Sequence, residues 1–209
     1  MTSGPGRLQE ALFDSLRGKI DSCTLLLDEV TLVVPKAGYR DTMQLLRDLP
    51  GLSFEKLIDL AGVDYLHYPG AHHPESRFAV VVHLLSLTHN HRLRVRVFLP
   101  NGPELSLPTI SDIWPAADWH EREAFDLFGI CFEGHRDLRR ILTDYDFVGH
   151  PLRKDFPVQG HAEVYYDENE SKVRYRPVSI VPREITPRVL RNSQRPHAGH
   201  GDSLRDPDD

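Results

Sequence analysis

The residues best suited to chemistry lie at positions 120–126, where one histidine and three carboxylates are interspersed with apolar residues. On an α-helix, residues three positions apart share a face, so His120, Glu123 and Asp126 would form one stripe. One imidazole and two carboxylates suit a divalent transition metal, and a stand-alone metalloenzyme is therefore one hypothesis. The competing interpretation is an exposed helical stripe, because a metal site between helices needs matching ligands on a second helix and the sequence shows none.

The remaining histidines give a weaker signal for metal binding. His135, His150 and His161 are widely spaced on segments without helical or strand periodicity, and no pair has the close spacing typical of zinc ligands. A glycine precedes His150 and a proline follows it, which indicates a turn. The adjacent His72 and His73 lie in a polar, turn-rich stretch that favours a solvated loop.

Composition excludes several other classes of function. The net charge of −6 disfavours nucleic acid as a partner. The two cysteines, Cys23 and Cys131, are too few for an iron–sulfur cluster or a cysteine zinc site within this chain. Glu121 and Glu123 cannot act together as general acid and base, because helical residues two apart point about 200° away from each other. No phosphate-binding loop, nucleophile elbow or HExxH motif occurs.

Periodicity predicts the elements that would position these residues. Helices are expected at 7–18, 36–48 and about 116–128. Strands are expected at 22–34, as one or two strands that turn at Asp28-Glu29, and at 54–65, 77–86 and 92–99. In the last of these, arginines alternate with apolar residues, which predicts a half-buried strand with a basic outer face. In the third helix, Asp118 is the expected N-cap, Glu121 would complete a capping box and Gly129 ends the helix. This order predicts an α+β fold, with a small, mostly antiparallel sheet that carries helices on one face and a long irregular C-terminal extension.

The chain is expected to divide into three parts. Residues 1–129 form the N-terminal α+β domain, 130–181 an extended docking segment that contains a hairpin, and 182–209 a proline-rich flexible tail. An irregular segment rich in arginine and aromatic residues cannot build its own core, so it indicates an interface more than a catalytic cleft. No window is apolar enough for a membrane helix, and the first residues lack the pattern of a secretory signal.

Two long motifs carry a family resemblance. They are Glu121-Arg122-Glu123 with Asp126-Leu127-Phe128-Gly129-Ile130, and Gly149-His150-Pro151-Leu152-Arg153-Lys154-Asp155-Phe156-Pro157. With these motifs, roughly residues 10–185 resemble the C subunit, or 30-kilodalton subunit family, of respiratory complex I, the NADH:quinone oxidoreductase of the electron transport chain. Arg136 departs from the family pattern, which usually has proline after the Gly-His pair.

The resemblance implies a peripheral subunit that supplies no catalytic, cofactor-binding or metal-binding residue. The complex as a whole would use NADH, FMN, iron–sulfur clusters and quinone, and it would pump protons. The implied partners are the large quinone-site subunit, which is the D subunit, with the B and I subunits nearby, and attachment to the cytoplasmic face of the bacterial cell membrane would be indirect. The implied interface and turn-holding residues are Glu121, Arg122, Glu123, Asp126, His135, Arg140, His150, Arg153, Lys154 and Asp155.

Two alternatives to this family remain open besides the metalloenzyme. One is the equivalent subunit of a related membrane-bound complex that uses ferredoxin, a deazaflavin or hydrogen, since the electron-input module lies in other chains. The other is an interaction domain of an unrelated complex.

Overall fold

The computed structural model describes residues 4–68, 76–102 and 104–180. The helices are α1 (Gly4–Ser15), a 3-10 turn (Lys36–Gly38), α2 (Tyr39–Asp48) and α3 (Ala117–Phe128). The strands are β1 (Ser22–Leu26), β2 (Glu29–Val33), β3 (Lys56–Asp64), β4 (Phe78–Ser86), β5 (His91–Leu99), β6 (Ser106–Pro108), β7 (Cys131–Glu133), β8 (Ala162–Asp167) and β9 (Lys172–Pro177). The tail predicted at 182–209 and the His72-His73 loop lie outside the described residues.

The main sheet has five strands in the order β1-β2-β5-β4-β3. Only the β2–β5 pair is parallel, and the other three pairs are antiparallel. The β1–β2 turn lies at Leu27 and Asp28, one residue before the predicted position, and both residues have positive φ angles of 50° and 61°. Positive φ at both central residues is typical of a type I′ hairpin turn, whose twist matches that of the strands. The prediction of a small, mostly antiparallel sheet is confirmed.

The hydrophobic core lies between one face of this sheet and the three helices. It includes Leu8, Leu12 and Leu16 from α1 and the turn after it, Tyr39, Met43 and Leu46 from α2, Ala117 and Ala124 from α3, and Val80, Val82, Leu93, Val95 and Val97 from the central strands. On β5 these buried residues alternate with half-exposed arginines, so the predicted basic outer face is confirmed. Arg94 on that face pairs with Glu29 of β2.

Helix α3 covers the edge of the sheet at β3. Phe128 and Ile130 pack so closely against Gly62 that a Cβ there would lie 2.6 Å from the Phe128 ring. The predicted capping box is wrong: the N-cap is Ala116, and no side chain caps the helix start. The physical reason lies in Glu121, whose carboxylate bonds to the strand-side loop instead of turning back to the helix start.

Two short elements frame α3 and were not predicted. Strands β6 and β7 precede and follow the helix and pair in parallel, with Ser106 opposite Cys131. Further along, β8 and β9 form the predicted hairpin as a separate two-stranded sheet. Within the part of the chain that the structure describes, no helix is long and apolar enough to cross a membrane.

Candidate functional site

The junction between α3 and the following extension concentrates buried charge. Asp126 and Glu121 have no exposed surface, and Arg122 is 5% exposed. Charged residues are almost never buried this fully unless they are paired. The hydrogen-bond partners of these residues therefore show which segments the junction holds together.

Asp126 fixes the first part of the extension. Its Oδ2 accepts three backbone N–H bonds, from Ile141 at 3.0 Å, Leu142 at 2.8 Å and Thr143 at 2.9 Å. Its Oδ1 accepts bonds from Arg140 Nη1 at 2.6 Å and Thr143 Oγ1 at 2.5 Å. Burial opposes ionisation, but these hydrogen bonds outweigh it and hold the pKa of Asp126 well below its ordinary value.

The second part of the extension closes the C-terminal end of α3. A helix leaves its last carbonyls without intrahelical donors. Three of them find donors in the His-Pro-Leu-Arg segment: Asp126 O from His150 Nδ1 (2.9 Å), Leu127 O from the Leu152 amide (3.2 Å) and Phe128 O from Arg153 Nε (2.7 Å). Because a carbonyl only accepts, His150 carries its proton on Nδ1. Burial lowers the pKa of His150, which favours this neutral form.

Gly129 makes this approach possible. It has a left-handed φ of +74° and donates its N–H to Phe125 O, as a helix-ending glycine does. A Cβ at this position would lie 2.5 Å from both Arg153 Nη2 and His150 Nε2. The glycine is therefore required both for the backbone conformation and for the space that the capping side chains occupy.

A buried ion pair joins the extension to the main sheet. The side chain of Asp64, at the end of β3, is 0% exposed and accepts bonds from Arg77 at 2.9 and 2.7 Å and from the Lys154 amide at 2.9 Å. Arg77 also reaches both oxygens of Asp155, at 3.0 and 2.8 Å. Burial raises the pKa of Asp64, yet the hydrogen bonds from Arg77 and Lys154 bring it down to about 2.

Glu121 connects α3 to the end of β6. It accepts a bond from the Ile110 amide at 2.8 Å and one from Thr109 Oγ1 at 2.5 Å. Neither donor is charged, and burial raises the pKa of Glu121 to about 7. His135, whose side chain is also fully buried, lies with Nε2 3.9 Å from the Glu121 carboxylate and 3.2 Å from the carbonyl of Asp118.

Arg122 holds the chain that leaves β7. Its guanidinium lies over the Trp119 ring and donates to the carbonyls of Arg139 and Arg140, at 3.4 and 3.3 Å. Of the ten signature residues, Glu121, Arg122 and Asp126 are thus buried within this chain and hold its own turns. Glu123, Lys154 and Asp155 are exposed. The interface role of the set stays a prediction.

The structure does not assemble the metal site considered from the sequence. His120 Nδ1 lies 3.4 Å from Asp59, Glu123 faces solvent, and Asp126 turns towards the extension. Elsewhere, the ring of His161 makes an edge-to-face contact with the ring of Phe156. Over residues 4–68, 76–102 and 104–180, no three His, Cys, Asp or Glu side chains lie close enough to hold a metal ion.

The β8–β9 hairpin has two unlike faces. Val164 lies opposite Tyr175, and Tyr166 opposite Val173, so these four side chains share one face. Each of the four is more than half exposed. On the other face, ion pairs join the strands, as between Arg176 and Glu163. The alternation of apolar and polar residues in both strands is the sequence signal that could have identified this apolar face.

Further apolar side chains are exposed along the same extension. They are Leu142, Tyr145, Val148, Leu152 and Val158, and each is about half exposed or more. Exposed apolar side chains that form a contiguous patch are typical of interaction sites, and the number on this segment agrees with the prediction of a docking role. The extension is therefore fixed at its inner side by the junction and carries an apolar surface on its outer side.

Comparisons with known proteins show which family the chain resembles. Residues 32–162 match the family model described as respiratory-chain NADH dehydrogenase, 30 Kd subunit. A protein of Ralstonia nicotianae, named as the C subunit of NADH-quinone oxidoreductase, is 56% identical over 93% of this chain and 97% of its own length. The protein of the same name from Burkholderia multivorans is 54% identical over the same shares of the two chains.

Solved structures agree with the sequence relatives. A trypsin-resistant fragment (1–134) of Nqo5 is 36% identical, with a TM-score of 0.55, over 63% of this chain and 99% of the fragment. A chain of the archaeal membrane-bound sulfane sulfur reductase has 24% identity and a TM-score of 0.60 over 72% of this chain and 86% of its own, which shows a shared fold.

Fold, junction and relatives together define a subunit of a multi-subunit oxidoreductase complex. Its anchored extension follows an α+β domain that bears the family motifs. The chain belongs to the family of the 30 kDa subunit of respiratory-chain NADH dehydrogenase, whose bacterial members compared above are named as the C subunit of NADH-quinone oxidoreductase.

Proposed function

We propose that this chain is a structural and assembly subunit of a proton-pumping NADH:quinone oxidoreductase and binds no redox group itself. In this proposal, electrons pass from NADH through FMN and iron–sulfur clusters in other subunits to quinone. The extension attaches the chain to the large quinone-site subunit, with the B and I subunits nearby. The chain would then lie at the cytoplasmic face of the bacterial cell membrane and be held there by its partners.

The observation that carries the proposal is the apolar face of the β8–β9 hairpin. Val164, Tyr166, Val173 and Tyr175 are exposed together, although the rest of the described chain has a well-packed core. Burying apolar area contributes about 25 cal/mol per Å², so covering four such side chains favours association strongly. The ion pairs on the opposite face are compatible with exposure to solvent, so we expect that face to point away from the partner and the apolar face to point towards it.

The junction between α3 and the extension also supports a structural role for the chain. Asp126 and the residues that cap α3 fix the extension to the folded domain before any partner binds. A surface that is already ordered loses less conformational entropy on binding. Buried groups such as Asp126 and Asp64 have their bonding capacity used within the chain, which fits a scaffold better than a reaction centre.

The test is assembly of the complex with a hairpin variant. Tyr166→Asp places a charge on the apolar face, whereas Lys172→Ser changes an exposed residue on the opposite face and serves as the matched control. We expect the first variant to reduce recovery of the large quinone-site subunit with an affinity-tagged chain, while the control retains it. Equal recovery of that subunit with both variants would refute the proposed role of the hairpin.

The same preparation tests the assignment of the complex. Recovery of flavin-bearing and cluster-bearing subunits with the wild-type chain supports an NADH-dependent complex. The likeness to an archaeal sulfane sulfur reductase chain shows that the fold also occurs in another membrane complex. Co-purified ferredoxin-, deazaflavin- or hydrogen-linked subunits would therefore assign the chain to a related complex instead.

A further inference from the structure

A surface pocket of about 440 Å³ lies beside the buried ion pair, between the start of β4 and the loop that precedes β6. It is lined by Arg77, Phe78, Asn101, Gly102, Leu105 and Arg153. The guanidinium groups of Arg77 and Arg153 lie 4.6 and 5.2 Å from the centroid of the Phe78 ring. The pocket therefore combines two cations with an apolar wall.

The two arginines differ in how their charge is balanced. Arg77 is matched by Asp64 and Asp155, which accept four hydrogen bonds from it. Arg153 donates Nε to a carbonyl, that of Phe128, and has no carboxylate within ion-pair distance among the residues that the structure describes. Burial and the positive charge of Arg77 lower the pKa of Arg153. The carboxylates of Asp155 and Asp64 act in the opposite direction but offset these effects only in part. A half-buried guanidinium without a hydrogen-bonded carboxylate is costly, and an anion that enters the pocket and pairs with it would relieve that cost.

We propose that this pocket receives one Asp or Glu side chain of a neighbouring subunit, which pairs with Arg153. The proposal rests on the proposed function, because a docked partner supplies the carboxylate. Planar guanidinium groups match carboxylates in a two-point fork, and the Phe78 and Leu105 side chains suit the methylene groups of an acidic residue. Asp64 and Asp155 lie close by and repel any anion, so a singly charged carboxylate is disfavoured less than a doubly charged phosphate.

A zero-length cross-link tests this pairing in the assembled complex. The variant Arg153→Lys replaces the guanidinium by an amine, which a water-soluble carbodiimide couples to a carboxylate in direct contact. We expect mass spectrometry of the treated complex to show a new peptide that joins position 153 to an Asp or Glu of another subunit. The wild-type complex, with an unreactive guanidinium at that position, should lack this peptide.

The control is Arg139→Lys, because Arg139 pairs with Asp137 of its own chain at the surface. That amine should couple to Asp137 and shows that the chemistry works. A second probe, Gly102→Lys, places an amine on the pocket rim without altering Arg153; a Cβ there meets nothing within 4 Å. This amine should couple to the same partner peptide. If Arg153→Lys prevents assembly of the complex, Gly102→Lys alone tests whether a partner carboxylate occupies the pocket.

The outcomes separate this proposal from the proposed function. Coupling of position 153 only to Asp64 or Asp155, or no coupling from either pocket amine in an intact complex, overturns the carboxylate pairing and leaves the subunit role in place. Failure of the wild-type chain to co-purify with any quinone-reductase subunit overturns the proposed function itself.

Discussion

Replacement of Asp126 by asparagine is the sharpest perturbation of the junction. The change conserves volume, and the remaining carbonyl oxygen can still accept the amides of residues 141–143. The new NH2 group then faces Arg140 Nη1, which now lies 2.6 Å from a carboxylate oxygen. Two donors confront each other, and a guanidinium that is 19% exposed loses its counter-charge.

The magnitude follows from the burial of this pair. Removing one partner of a buried ion pair costs about 3–5 kcal/mol. Arg140 keeps bonds to the Gly149 carbonyl and to Thr143, and its partial exposure admits water, so we take the lower end, about 3 kcal/mol. At about 1.4 kcal/mol for each tenfold change, the opened extension should become about 100-fold more populated.

Amide hydrogen exchange measures this population directly. In Asp126→Asn, the amides of Ile141, Leu142 and Thr143 should exchange about 100-fold faster, because they are released when the extension opens. Amides in the centre of β4 should keep their rates, since the core lies upstream. Asp137→Asn, which removes an exposed pair with Arg139, is the control. Unchanged exchange at residues 141–143 would refute the view that Asp126 holds the extension.

Three further predictions follow from the same contacts. Because burial raises the folded-state pKa of Glu121 from 4.5 to about 7, the folded chain holds a proton between these pH values that the unfolded chain has lost, and the free energy of unfolding should fall by about 3 kcal/mol as the pH rises through that window. Denaturant titrations at about pH 5 and pH 8 measure this fall; Glu121→Gln should abolish it, and a fall that persists in the variant would contradict the prediction. Gly129→Ala should cost more than about 1 kcal/mol, visible as a lower Tm, because alanine disfavours left-handed φ and its Cβ would displace His150 and Arg153. Truncation after Pro157 should leave cooperative thermal unfolding intact, because no hairpin side chain belongs to the core; loss of cooperativity would argue that the hairpin supports the domain.

Local pattern was enough to predict most of the fold. The alternation of arginine with valine and leucine predicts β5, and apolar spacing predicts α2 and α3, because these signals depend on one face being buried. The capping box failed because Glu121 has tertiary donors in Thr109 and Ile110, which helix-start statistics cannot include. Strands β6 and β7 are too short, at three residues each, to show any period.

The site was only partly predictable. The signature motifs identified the segment that forms the junction, but the sequence did not separate its buried residues from its exposed ones. Burial of Asp126 depends on how residues 140–143 return to α3, a contact set by the tertiary fold. The ion pair of Asp64 with Arg77 joins neighbouring strands and has no local sequence signal.

The end of α3 has a consequence for how the chain is made. The helix ends at Phe128, but the hydrogen-bond donors for its last three carbonyls come from His150, Leu152 and Arg153. Because the chain is synthesised from its N-terminus, the helix is made first, and the carbonyls at its partly negative C-terminal end lack these donors until residues 150–153 have been added. A chain interrupted between these two points would expose that end to solvent. The junction can therefore form only after synthesis has passed Arg153.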